Sequence, residues 1–193
     1  MEENKCEVCG NVFDTKAELM KHAKVHIGVM KNNLRTGKVV ISSIIGGIVG
    51  GILMLIVLMA GAAGMGLPST TFALIMGMGL GATMGSAEMV GVLGHFIVSI
   101  VAGAIFGALV SYVKPLRLGK APRSLALGLI YGIVIYLVFF LPMAMTVFAS
   151  VMMKLMGAKA AMMLPDVLVI GLIGHIVYGL TLGAITLYVG KIL

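Results

Sequence analysis

The chain has 193 residues, of which 60% are hydrophobic and only 11% charged, with a net charge of +7. Its mean hydropathy is +1.13, whereas soluble domains carry about 25% charged residues. These values exclude a water-soluble globular domain and point to an all-α polytopic membrane protein.

Residues 1–38 are polar and lack the apolar h-region of a signal peptide, so the hydrophobic segment that opens at Val39 is expected to stay in the bilayer as an anchor. Within this beginning, "CEVCGNVFDTKAELMKHAKVH" (6–26) has the spacing C-x2-C-x3-F-x5-L-x2-H-x3-H. Cys6 and Cys9 are the two cysteines of the chain. They are too close for a structural disulfide, and with downstream histidines they read as metal ligands. A tight turn can offer both thiolates to one ion. His22 and His26, four apart, share one helix face and complete a tetrahedral zinc shell. Phe13 and Leu19 supply the apolar core, Gly10 suits the turn after Cys9, and Asp14 or Thr15 can cap the helix. Thiolate ligands need a reducing compartment, which points to the cytoplasm.

This pattern resembles the two-cysteine, two-histidine zinc finger family over residues 6–26, with all four ligands and both apolar positions matched. The resemblance implies a ββα unit at 1–28 that folds around one zinc ion. It maps the base-reading positions of such fingers to Thr15, Glu18 and Lys21. A single finger covers only about 3 bp and binds weakly alone, so a protein partner is the leading expectation, a purely structural finger the next and nucleic acid the weakest. The linker at 29–38, with Lys31, Arg35 and Lys38, suits lipid headgroups and sets orientation.

Four transmembrane helices are expected, at about 39–63, 87–113, 124–148 and 165–189, with Pro165 and Asp166 suiting a helix start. The segment "FALIMGMGLGATMG" (72–85) is ambiguous, a short helix or re-entrant piece near 69–85 being expected over a further span. The basic flanks at 31–38, at Lys114, Arg117, Lys120 and Arg123, and at Lys191 fall on one side only if the chain crosses four times. The positive-inside rule then makes that side, with both termini, cytoplasmic in a multi-pass protein of the cell membrane.

The spans pair as two hairpins, 39–113 and 124–193, joined by the basic loop 114–123. Gly94-His95 recurs as Gly174-His175, and Gly47-x3-Gly51 recurs as Gly128-x3-Gly132, at a near-constant offset that suggests an internal repeat. Gly91, His95, Ser99, Gly103 and Gly107 form one stripe of mostly small residues, and Gly171, His175, Gly179 and Gly183 form another. The expectation is that the second and fourth spans meet along these stripes. His95 and His175 are the candidate intramembrane site, with a packing role in which each imidazole bonds a carbonyl, Ser99 or Tyr178 as the simpler alternative. Glu88 and Asp166 are expected to complement helix N-termini. Seventeen methionines read as adaptable apolar filler, with Cu(I) binding the lesser alternative.

No P-loop, G-x-S-x-G or H-E-x-x-H is present. The membrane part is similar to uncharacterised small four-helix prokaryotic membrane proteins. The leading expectation is a non-enzymatic anchor, docking or regulatory component that works in the bilayer as an oligomer or within a larger complex. The rivals are a transporter or channel subunit using His95 and His175, and an accessory subunit of a membrane enzyme complex.

Overall fold

A computed structural model describes residues 4–193, with the backbone alone for 27–35. The chain divides into two units, Met1–Lys38 and Val39–Leu193. Helix α1 (Lys16–Gly64) contributes to both. The stretch expected as a linker, 29–38, is therefore helical, and the side chains of Lys31 and Arg35 lie outside the described residues.

The first unit holds a turn followed by a helix. The expected pair of strands reduces, among the described residues, to one antiparallel bridge between Lys5 and Val12. The Cys6 N–H donates to Asn11 O and the Phe13 N–H to Asn4 O, which is too short a ladder to make strands. Gly10 closes the turn at φ +78°, where a side chain would be strained.

The second unit contains four helices long and apolar enough to cross a membrane: Thr36–Gly64, Ala87–Tyr112, Ala121–Met156 and Lys159–Ile192. Their outward faces carry Ile52, Val101, Ile105, Val134 and Val169, all exposed. Such a surface is unfavourable in water and matched to hydrocarbon.

Helix α2 (Thr71–Gly79) has nine residues and rises ~14 Å, under half the ~30 Å apolar thickness, so it cannot be a fifth span. It runs antiparallel to α3 (Ala87–Tyr112) at backbone contact. A Cβ on Gly77 would fall on the Ala87 carbonyl oxygen, and one on Gly91 on that of Ala73. Thr70 Oγ1 donates to Glu88 Oε1 at 2.8 Å, tying the start of α2 to the first turn of α3.

The third apolar helix comprises α4 (Ala121–Ile135), α5 (Leu141–Met143) and α6 (Ala149–Met156), with π-helical segments at Tyr136–Phe140 and Ala144–Phe148. The two segments flank Pro142, which offers no backbone N–H. The fourth helix, α7 (Lys159–Ile192), starts earlier than expected, and Pro165 lies inside it. Asp166 is therefore not an N-terminal residue. A proline this near a helix start forfeits one hydrogen bond, and neighbouring elements can absorb that loss.

Small residues set the helix contacts, but not in the expected pairing. The stripe of α3 packs on α1: a Cβ on Gly47 would stand 2.5 Å from Ser99 O, and one on Gly103 2.5 Å from Ser43 O. The stripe of α7 packs on α4: Cβ atoms on Gly179 and Gly183 would strike the carbonyl oxygens of Gly128 and Ser124. Gly107 sits against Val40 and Ser43, and Gly171 against the Phe140 ring. Helices α1 and α7 meet at Gly50 and Tyr178.

Polar side chains are satisfied locally. Ser43, Ser99, Ser111 and Thr186 each donate to the carbonyl four residues back, at 2.7–2.8 Å, which removes the cost of a bare hydroxyl in hydrocarbon. Tyr131 Oη donates to Ala102 O at 2.7 Å and joins α4 to α3. Tyr131→Phe is expected to cost about 1 kcal/mol of bundle stability, the usual worth of an interhelical hydrogen bond in a membrane. Unfolding by a denaturing detergent would measure it, and an unchanged midpoint would remove this bond from the account.

Candidate metal centre and intramembrane cavity

The Cys6–Cys9 turn and the first three turns after Thr15 bring four donors together. Gly10 N–H donates to Cys6 O at 2.8 Å, curling the loop so that both sulfurs face the helix. Thr15 Oγ1 accepts the Glu18 N–H at 3.2 Å, so of the two candidate caps Thr15 is the one used. The i, i+4 spacing then puts His22 and His26 on the face toward the turn. The donor atoms of Cys6, Cys9, His22 and His26 all lie within 4.8 Å of one another. His22 Nε2 stands 3.1 Å from Cys9 Sγ and 2.9 Å from His26 Nε2. Phe13 packs on the His22 ring at 4.6 Å between centroids, and Phe13 and Leu19 are half-buried.

The donor set fits a metal ion. Donor–metal distances of ~2.0–2.3 Å in a tetrahedron put donor atoms ~3–4 Å apart, close to the 3.1 Å of Cys9 with His22 and the 2.9 Å of His22 with His26. Two imidazole nitrogens at 2.9 Å repel unless a proton or a cation lies between them. Cys6 is buried, Cys9 is exposed, and the histidines are intermediate. The Cys6 thiol is held below its ordinary pKa, foremost by the Cys9 backbone N–H, with that of Val8 adding and burial opposing. A lowered pKa keeps Cys6 a thiolate ligand to lower pH, so proton competition at this sulfur begins later on acidification than at an ordinary thiol. Thr15→Ala removes the cap and is expected to weaken metal affinity by about 1 kcal/mol, close to a fivefold rise in dissociation constant by competition with a chelating dye.

The two candidate membrane histidines line a common cavity of about 100 Å³ within the helical unit. His95 Nε2–H donates to Gly51 O at 2.9 Å, and His175 Nδ1–H donates to Gly171 O at 2.7 Å. Both partners are carbonyls, so the bonds also fix the tautomers. Rings of Tyr136 and Phe140 flank His175 at 5.6 and 5.1 Å. Ser99 Oγ and Tyr178 Oη donate to the carbonyls of His95 and Ser99, respectively. Neither hydroxyl therefore serves as an imidazole partner.

Sequence reasoning singled out both histidines but not Tyr178 as the link between α7 and α3, nor Phe139, Phe140 and Met143 as part of the cavity wall. Pro142 was the available signal for those last three. Comparison with family models, curated proteins and solved structures yields no match. The class defined by fold and site is a helical protein with four candidate membrane spans and a Cys2His2 cluster able to hold a metal.

Proposed function

We propose that the protein is a non-enzymatic integral membrane component that binds one zinc ion through Cys6, Cys9, His22 and His26 and uses that module to dock a cytoplasmic protein. The observation carrying this reading is the convergence of the four donors within 4.8 Å. Two thiolates and two imidazoles suit Zn²⁺ in a closed, structural site with no open position for chemistry. The module is in effect a zinc finger with a minimal hairpin. Val8, Val12, Met20 and Val25 are exposed on it, and apolar side chains of this kind favour a protein surface over a phosphate backbone. Both termini are cytoplasmic in this reading, supported by the basic loop at 114–123.

The membrane part derives in this reading from a duplicated hairpin. The correspondence of contacts supports it: Gly47 meets Ser99 and Gly103 as Gly128 meets Gly179 and Gly183, and Gly103 meets Ser43 as Gly183 meets Ser124. The test of docking is a photoreactive amino acid at Val12 in the full-length protein in its native membrane. The expected result is one discrete protein adduct that disappears on zinc chelation. Labelling of lipid alone, or an adduct indifferent to chelation, would defeat the docking reading. A second reading, a transporter or channel subunit, draws on the shared cavity of His95 and His175. It requires flux in liposomes that falls when either histidine is replaced.

A further inference from the structure

The membrane cavity has a chemical polarity of its own, independent of the metal centre. Its polar lining consists of His95, Ser99, His175 and Tyr178. Every hydrogen these side chains can donate is committed to a backbone carbonyl: His95 to Gly51, His175 to Gly171, Ser99 to His95 and Tyr178 to Ser99. What remains is a set of acceptors. The second ring nitrogen of each imidazole, Nδ1 of His95 and Nε2 of His175, keeps its lone pair. Among the described residues no sealed side-chain nitrogen or oxygen lacks a partner. These nitrogens make no hydrogen bond of their own to the chain, so they reach open space.

An acceptor-only pocket selects a hydrogen-bond donor. A hard divalent cation or an ammonium group is disfavoured, because no acidic side chain lines the cavity and an uncompensated charge there would be costly; the thioethers of Met54, Met76 and Met143, also in the wall, are only weak acceptors. The remaining wall is apolar, with Leu58, Phe72 and Phe140 among its members. Two wall residues, Val98 on α3 and Phe139 in the third apolar helix, are 55% and 66% exposed on the outward surface, which places the mouth of the cavity toward lipid. The volume, about 100 Å³, is below the ~150 Å³ that holds a benzene, so it takes a small head whose tail remains outside.

We propose that this cavity binds the hydroxyl head of a neutral, lipid-soluble alcohol or phenol, which enters from the bilayer between Val98 and Phe139 and donates its one hydrogen to the free nitrogen of either His95 or His175. The full-length protein in lipid nanodiscs would be photolabelled with a long-chain alkanol carrying a diazirine near its hydroxyl, and labelled peptides located by mass spectrometry. Labelling is expected to concentrate around Val98 and Phe139. Dodecanol should compete at least ~10-fold better than dodecyl methyl ether, which has lost the donor. Val98→Trp, a change at an outward position, should reduce site labelling at least ~5-fold with the helical circular dichroism unchanged. Labelling spread evenly over the lipid-facing residues, or equal competition by alcohol and ether, would overturn the proposal and leave a cavity that holds water or hydrocarbon. Should Val98→Trp fail to fold, the alcohol–ether comparison on the unaltered protein decides alone.

Discussion

His22→Ala in the full-length protein is expected to release the bound ion and melt the turn at 4–13, leaving the apolar helices intact. Structural zinc contributes ~10–16 kcal/mol in isolated finger peptides. No single contact among the described residues of this unit approaches that: Cys6 is the one buried side chain there, with Phe13 and Leu19 half-buried beside it. Hydrogen exchange provides the readout. The N–H groups of Cys6, Gly10 and Phe13, bonded to Asn11, Cys6 and Asn4, should lose all protection in the variant, and equally in the unaltered protein after chelation. Amides in the middle of α3 and α7 should exchange as before. Protection that survives both treatments would show that the turn folds without metal.

A larger side chain at Gly179 should be among the most damaging changes in the bundle. Its Cβ would land on the carbonyl oxygen of Gly128 and crowd the Cα of Gly132 at 3.1 Å. Overpacking against side chains costs ~1–3 kcal/mol. Backbone cannot rotate aside, so Gly179→Val is expected to cost at least ~3 kcal/mol and to separate α4 from α7. Gly64→Ala provides the control, because nothing lies within 4 Å of a Cβ there. Detergent-solubilised Gly179→Val should unfold well before both the control and the unaltered protein. Equal midpoints for all three would contradict backbone-to-backbone packing of these helices.

The same glycines show how far the sequence could be read. Their spacing by four identified packing faces on α3 and α7, because small residues on one face announce close approach. It could not name the partner, since any helix with its own small face is an acceptable neighbour. Ser43, Gly47 and Gly51 on α1 and Gly128 and Gly132 on α4 are the actual partners. The four apolar helices were legible from hydropathy, which follows from burial of backbone polar groups in lipid. Their ends were less so. Pro165 reads as a helix start, yet α7 begins at Lys159 and carries the proline within it. The metal cluster was legible because ligand chemistry fixes spacing tightly: a two-residue gap for the thiolates and one helical turn for the imidazoles. The hairpin was not, because so short a turn is held by three backbone hydrogen bonds and one bridge, too few to make strands.

The central claim, a closed zinc site on a membrane-embedded chain, is tested most directly by native mass spectrometry of the full-length protein released from detergent, with Cys9→Ser beside it. One zinc ion is expected per unaltered chain and none in the variant. An unaltered chain without metal, or a metal retained after Cys9→Ser, would contradict it.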